Sequence, residues 1–249
     1  MKATQTAAFV AWAAAGLLGV GGPARAGQTP TARAETAPAQ EKDPFEREEE
    51  PAPPLADPLQ GVNRAFFHFN DKLYFWVLKP VARGYKSVLP QGARVGVGNF
   101  FSNLGMPMRM FSCLLQGDLK CTGTELARFG VNTTVGVLGF GDPAKSWLKL
   151  RKRHADFGQT FGVWGMGPGW YLNWPLLGPS CGRDTLALPL NAALDPATFL
   201  PGAGLIQKVN YTSLHLGEYE ELLRAALDPY VALRDAYNQH RRHSVQTRE

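Results

Sequence analysis

The segment that decides the fold is DPLQGVNRAFFHFNDKLYFWVL, residues 57–78. Asp57-Pro58 is typical of a helix start, with a capping carboxylate and a proline in the first turn, so we predict a helix that runs to about Leu78. At 100° per residue, six apolar residues share one stripe, which we interpret as ordinary core: Val62, Phe66, Phe69, Leu73, Trp76 and Val77.

A second apolar sector of the same helix carries Phe67, Tyr74 and Leu78, with Phe75 intruding among polar residues. The helix carries more aromatic residues than a single stripe packed against a core would use. The helix is either buried on two sides within an all-α domain, or it lies with one face on the protein and another in the interfacial layer of a bilayer. Trp and Tyr are favourable in that layer.

Upstream of this segment, residues 1–26 read as a cleavable secretion signal. They contain Lys2, an apolar run that is shorter than the roughly 20 residues of a membrane span, and the small-x-small site Ala24-Arg25-Ala26. Residues 27–56 are rich in Ala, Pro and Glu and predict a disordered acidic tether. The whole chain has a net charge of +5, and because the tether is acidic the remaining body is basic. A basic body suits an anionic partner such as phospholipid or nucleic acid.

Downstream, residues 57–243 are long enough for a single domain, and residues 244–249 form a tail. Pro80, Pro90 and Pro107 predict breaks between short helices at 81–88, 92–103 and 107–116. A helix at 122–138 should carry one stripe of Leu126, Phe129, Thr133 and Val137.

The pattern changes between residues 157 and 182, which are rich in Gly, Pro and Trp and have neither a helical nor an alternating period. We predict an irregular ordered segment here. Two helices should close the chain, one at 204–227 with a break near Gly217 and one beginning at Asp228-Pro229. Because no run alternates convincingly, the predicted fold class is all-α, built of short and medium helices.

Cysteine use is limited to Cys113, Cys121 and Cys181. Cys113 and Cys121 flank the Gln116-Gly117-Asp118 turn expected between two helices, so they either form a disulfide or remain two buried thiols. Cys181 is unpaired in either case.

Patterns that would indicate catalysis are weak. The Gly-x-Ser-x-Gly elbow of serine hydrolases does not occur, and the three glycines at 165, 167 and 169 read as turns. His240 and His243 could face one metal, but a solvated helix end explains them better. Glu218, Glu220 and Glu221 fit a charged helix face better than acid/base work. We therefore predict no catalytic residue, no metal and no cofactor.

The order of several short motifs resembles the MlaA/VacJ family of outer-membrane phospholipid-removal proteins. The resemblance spans about residues 57–240. It rests on DPLQGVNR at 57–64 with Phe69-Asn70, KPVA at 79–82, VLPQGAR at 88–94, LQGD at 115–118, RFGVNT at 128–133, FGQT at 157–160, LLGPS at 176–180 with Arg183-Asp184, and DPY at 228–230.

This resemblance implies a ring-like helical protein in the inner leaflet of the outer membrane, often beside a trimeric porin. It also implies a polar channel through which misplaced phospholipids pass from the outer leaflet to a periplasmic lipid carrier protein, without covalent chemistry. We expect lipid contact from Phe66, Phe67, Phe69, Tyr74, Phe75 and Trp76, and a polar passage at Asn132, Thr133, Arg183 and Asp184.

Three other functions compete with this one: a periplasmic lipid hydrolase, a soluble lipid-binding protein and a nucleic-acid-binding module. Export makes the last improbable, so no nucleic acid is expected as a partner.

Members of the family usually carry a signal that ends in an acylated cysteine. The first cysteine here is Cys113, so we expect an exported protein without a lipid anchor, at the periplasmic face of the outer membrane.

Overall fold

The structure is a computed structural model that describes residues 54–248. The expected signal at 1–26 and most of the expected tether lie outside the described residues. Two residues assigned to the tether contact the folded domain: Leu55 is buried, and the carbonyl of Ala56 accepts a hydrogen bond of 2.8 Å from the Tyr171 amide. The folded domain therefore includes Leu55 and Ala56, which the sequence analysis assigned to the tether.

Helices dominate the described chain, which confirms the all-α class. Their bounds are α1 Gln60–Leu73, α2 Lys79–Val88, α3 Gln91–Leu104, α4 Met106–Leu115, α5 Leu119–Thr134, α6 Pro143–Ser146, α7 Phe157–Val163, α8 Gly182–Leu194, α9 Ala203–Leu214, α10 Glu218–Ala225 and α11 Pro229–Thr247. A π-helix at Tyr74–Leu78 joins α1 to α2, and a 3₁₀ turn at Pro196–Phe199 precedes α9.

The segment rich in Gly, Pro and Trp is more regular than predicted. It contains α7 and an antiparallel hairpin, whose strands are β1 (Tyr171–Trp174) and β2 (Gly178–Cys181). The expectation that no run forms a strand is therefore wrong here. Four-residue strands are too short for an alternating pattern to stand out, and the turn depends on positive φ values at Leu176 and Gly178.

Two predicted helix boundaries near α1 are also wrong. Asp57 does not cap α1, which begins at Gln60; its carboxylate instead accepts hydrogen bonds from Asn63 and from the Tyr230 hydroxyl. Pro80 does not break the helix. The wider π-helical turn, in which the Lys79 amide bonds to the Tyr74 carbonyl, lets the chain continue into α2 around a residue that lacks an N–H.

The hairpin is fixed to α1 by two asparagines seven residues apart. The Asn63 side chain donates to the Tyr171 carbonyl at 3.0 Å and accepts from the Asn173 amide at 2.9 Å. Asn70 repeats this pairing with the Trp174 carbonyl and the Leu176 amide, at 2.9 and 2.8 Å. Each amide acts like one more residue of a neighbouring strand, so α1 determines where the hairpin lies.

The largest buried apolar cluster joins α1 and the hairpin to the C-terminal helices, and half of its members are tyrosines. Its members are Leu55, Phe67, Tyr74, Tyr171, Cys181, Tyr219, Tyr230, Leu233, Ala236 and Tyr237. The predicted break near Gly217 is confirmed, with φ of 105° at that glycine. The predicted start of α11 is also confirmed, because the Asp228 carboxylate accepts from the Tyr230 and Val231 amides.

A disulfide closes the hairpin of α4 and α5. It joins Cys113 and Cys121, whose Cα atoms lie 5.7 Å apart, while Cys181 is a free buried thiol.

Candidate functional site

The buried face of α5 is polar. Its buried residues are Cys121, Glu125, Arg128 and Asn132, which repeat every three or four positions and so line one side of the helix. Leu126 and Val137, which the sequence analysis placed on an apolar stripe, are 56% and 71% exposed, and α5 ends at Thr134 before Val137. Helix α5 thus buries charged and polar side chains and exposes apolar ones.

A narrow polar cleft lies beside this face, and Asn132 is part of it. Arg128 and Asn132 both bind the Asp142 carboxylate, each at 2.9 Å. The cleft is lined by Asn99, Ser102, Asn103, Arg109, Arg128, Phe129, Asn132 and Asp142. Thr133 is not among these residues, but its hydroxyl accepts a hydrogen bond of 2.9 Å from the Asn103 side chain.

A fully buried ion pair extends the polar interior from the cleft towards α4. Arg109 donates to Glu125 at 2.7 Å, and the second oxygen of Glu125 accepts from the Arg153 amide at 3.0 Å. Burial, together with the nearby Arg109, holds the pKa of Lys152 well below its ordinary value. Burial, followed by the nearby Lys152 and Arg109, lowers the pKa of His154 to about 3.

The second predicted pair, Arg183-Asp184, begins α8 and belongs to a different cluster. Asp184 binds Arg241 of α11, with an Nε to Oδ2 distance of 2.6 Å, and it accepts a bond from the Tyr237 hydroxyl. Arg241 also makes a two-pronged contact with Asp156 at 2.6 and 2.9 Å. Burial alone would raise the pKa of Asp184, but Arg241 and Arg183 lower it below the ordinary value.

A cavity of about 210 Å³ adjoins this cluster, and we call it the C-terminal cavity. Its walls come from α7, the start of α8, the loop before β1 and the end of α11. The lining residues are Leu55, Gly162, Gly165, Met166, Pro168, Cys181, Arg183, Tyr237, Asn238, Arg241, Arg242, Val245 and Gln246. Burial raises the pKa of the Cys181 thiol, so this cysteine is a poor nucleophile.

The residues expected to touch lipid separate into two groups. Phe67 and Tyr74 are only 5% and 2% exposed and belong to the tyrosine-rich core. Phe69 and Trp76, by contrast, are 50% and 74% exposed, and Phe66 and Phe75 are half-buried. The stripe interpreted as core is therefore largely the outer face of α1, and the second sector is the inner one.

Exposed apolar side chains occur on most of the described elements, well beyond α1. They include Val62, Phe69, Trp76, Val77, Val88, Leu119, Leu126, Val137, Leu138, Trp147, Trp164, Trp170, Leu176, Leu186, Phe199 and Leu205. Monomeric soluble proteins rarely expose contiguous apolar patches larger than a few hundred Å². Within residues 54–248, no helix is both long and apolar enough to cross a membrane.

Sequence reasoning missed Asp156 and Arg241, which hold the second cluster together. Asp156 is recognisable in retrospect, because it caps α7 through the Gln159 amide at 2.7 Å. Arg241 gave no local signal, since its partners lie 57 and 85 residues away in the chain. In the described part of the chain, no three His, Cys, Asp or Glu residues are grouped as metal ligands would be.

Fold and site together define a helical protein with buried ion pairs in its interior and many large apolar side chains on its surface. A family model described as MlaA lipoprotein matches residues 55–244. The intermembrane phospholipid transport system lipoprotein MlaA of Shigella flexneri is 35% identical over 192 residues, which cover 74% of this chain and 76% of that protein. The protein of the same name from Escherichia coli K12 is 34% identical with the same coverage.

The fold agrees with these matches. A solved structure from work on the structural basis for maintenance of bacterial outer membrane lipid asymmetry superposes with a TM-score of 0.68 and 32% identity, covering 76% of this chain and 99% of that one. The chain belongs to the MlaA lipoprotein family, which confirms the resemblance drawn from the sequence.

Proposed function

We propose that this protein is a non-enzymatic component of intermembrane phospholipid transport that removes misplaced phospholipids from the outer leaflet of the outer membrane. In this proposal it is exported and lies in the inner leaflet at the periplasmic face. It hands phospholipids to a periplasmic lipid carrier protein and is held beside an outer-membrane trimeric porin. The names of its relatives support the transport role.

The observation that carries the proposal is the exposure of many large apolar side chains around an interior that contains buried ion pairs and polar side chains. In water, exposing Trp76, Val77 and Val137 would forgo stabilisation of about 1.5–3 kcal/mol for each large apolar side chain left unburied. In the acyl region of a leaflet the same side chains are well solvated. Phe66, Phe69, Phe75 and Trp76 are the residues of α1 and the π-helix that we propose contact lipid.

The polar interior supports a passage for headgroups. It forms a seam that begins at Asn132 and Asp142, passes through Arg109 and Glu125, and continues to Asp156 and Arg241. In the middle of the seam, Ser112 and Thr160 share a hydrogen bond of 2.7 Å. The proposed channel residues Asn132 and Thr133 lie at one end of this seam, and Arg183 and Asp184 at the other.

A deletion strain tests the proposal. Loss of the gene should raise outer-leaflet phospholipid and sensitivity to detergent with chelator, and the intact gene supplied in trans should restore both. Unchanged outer-leaflet phospholipid in the deletion strain would refute the role. Fatty acid released from phospholipid by the purified protein would favour the hydrolase instead.

A further inference from the structure

The C-terminal cavity has an unusual lining, because three guanidinium groups face it and no carboxylate does. Asp156 and Asp184, which neutralise Arg241, are not among the lining residues. Arg242 is exposed at the end of α11 and makes no ion pair with a described residue. The cavity therefore presents more positive charge than its wall neutralises.

Arg183 is the buried member of this set with hydrogen-bonding capacity to spare. Its Nε donates to Asp184 at 3.2 Å, and its Nη1 reaches the Met166 carbonyl only at 3.4 Å. Its Nη2 makes no hydrogen bond to a described residue. A guanidinium fork matches two oxygens of a phosphate or carboxylate, so a buried one with an unused nitrogen is suited to bind an anion.

Gly162 of α7 makes room for this guanidinium. A Cβ atom at this position would lie 2.7 Å from Arg183 Nη1 and 2.6 Å from Val245 Cγ2. Any side chain there would push Arg183 away from its place in the wall. Gly162 is thus a positioning residue for the cavity.

We propose that the C-terminal cavity binds the phosphate of a phosphate ester, with Arg183 and Arg242 as its principal donors. A volume of about 210 Å³ is smaller than the roughly 300–1,000 Å³ of pockets that enclose drug-sized ligands. A cavity of this size admits a headgroup and leaves acyl chains outside. The identification of the phosphate as part of a lipid rests on the proposed function. The proposal that the cavity binds an anion does not depend on that function.

Binding by the full chain in a non-ionic detergent tests this inference. Isothermal titration would use inorganic phosphate, glycerol 3-phosphate, and detergent micelles with and without lysophosphatidylglycerol. The variants are Arg242→Gln, whose side chain is exposed, and Arg183→Lys, which keeps the charge but loses the fork. Arg224→Gln, at an exposed arginine of α10, is the matched control.

A lipid-headgroup site predicts that Arg242→Gln and Arg183→Lys each weaken binding of the lysophosphatidylglycerol micelles about tenfold, while Arg224→Gln leaves it unchanged. Binding of inorganic phosphate and glycerol 3-phosphate with the same variant dependence, but not of the lipid micelles, supports the anion site and overturns its lipid source. Equal affinity in all variants overturns the site. If Arg183→Lys fails to fold, the effect of Arg242→Gln, whose side chain is exposed, still tests whether the cavity binds the anion. The deletion phenotype tests the proposed function in cells, so the proposed function and the anion site can be refuted independently.

Discussion

Gly158 shows at the residue scale how closely the buried charges are packed. A Cβ atom on this glycine of α7 would lie 2.3 Å from Asp184 Oδ1 and 2.7 Å from Arg241 Nη2. Since Arg241 pairs with both Asp156 and Asp184, displacing it would take from Asp156 its arginine partner and leave Asp184 with Arg183 and Tyr237 alone. The position is restricted by its neighbours, because the helical backbone itself would accept alanine.

We predict that Gly158→Ala lowers the free energy of unfolding by about 2–4 kcal/mol, through overpacking and disruption of a buried ion pair. Gly130→Ala in α5 is the control, because a Cβ there meets no atom within 4 Å. That substitution should raise stability by up to about 1 kcal/mol through helix propensity. Urea unfolding in detergent measures both, and equal stabilities would contradict the packing described above.

Two half-buried histidines predict how stability depends on pH. Burial and neighbouring cations lower the pKa of His154 to about 3 and that of His240 to about 4. In the unfolded chain a histidine titrates near 6.5, so between about pH 6.5 and pH 4 the unfolded state binds more protons than the folded state. Stability should therefore fall as the pH drops through this window, with a slope of up to about 1.4 kcal/mol per pH unit for each histidine.

Unfolding free energies at pH 7 and pH 4.5 measure this slope. His240→Gln should reduce the difference between the two values, whereas His243→Gln changes an exposed histidine of the same helix and serves as the control. If both variants keep the full difference, groups other than His240 dominate the acid response.

Sequence predicted the residues of the site unevenly, for a physical reason. Asn132, Arg183 and Asp184 stand in recognisable motifs, and all three prove to belong to the polar interior. Sequence alone places Arg241 at a solvated helix end, because nothing adjacent to it reveals the carboxylates that neutralise it. Ion pairs between distant segments depend on the fold, and a single sequence does not encode them locally.

At the scale of elements, helix existence was predictable and helix orientation was not. The breaks near Gly217 and Asp228 follow from local backbone chemistry, and so appear where predicted. The inward face of α1 was assigned wrongly, because the usual rule puts the larger apolar stripe in the core. Here Asn63 and Asn70 decide the matter: their paired hydrogen bonds to the hairpin hold Phe67 and Tyr74 inward and leave Phe69 and Trp76 outside.

The α4–α5 hairpin gives a prediction at this scale. A disulfide between Cys113 and Cys121, eight positions apart, restricts the unfolded chain and should contribute about 2–3 kcal/mol. The double variant Cys113→Ser with Cys121→Ser should melt at a lower temperature than the native protein. Dithiothreitol should lower the melting temperature of the native protein and leave that of the double variant unchanged. A response of the double variant to the reductant would point to Cys181 instead.

Over the described part of the molecule, buried ion pairs share the interior with apolar clusters, and many large apolar side chains lie on the surface. Charged pairs such as Arg109 with Glu125 occupy the interior, while tryptophans at 76, 147, 164 and 170 are exposed. Buried ion pairs are weak contributors to stability, since desolvation offsets much of their attraction. Buried ion pairs in this number therefore favour a passage for polar headgroups over an interior selected for stability.

The exterior then predicts how the protein is held at the membrane. Trp76→Asp places a charge where the native side chain is 74% exposed, so it should not disturb folding in detergent. It should weaken membrane retention, because burying a carboxylate in the interfacial region is energetically costly. Gln239→Asp adds the same charge at an exposed polar position of α11 and should leave retention unchanged. After cell fractionation and a high-salt wash, the native protein and Gln239→Asp should remain with the outer membrane, and a larger share of Trp76→Asp should be released. Release of the native protein by salt alone would mean that electrostatic contacts hold it, and that its apolar exterior faces a protein partner or another copy instead of lipid.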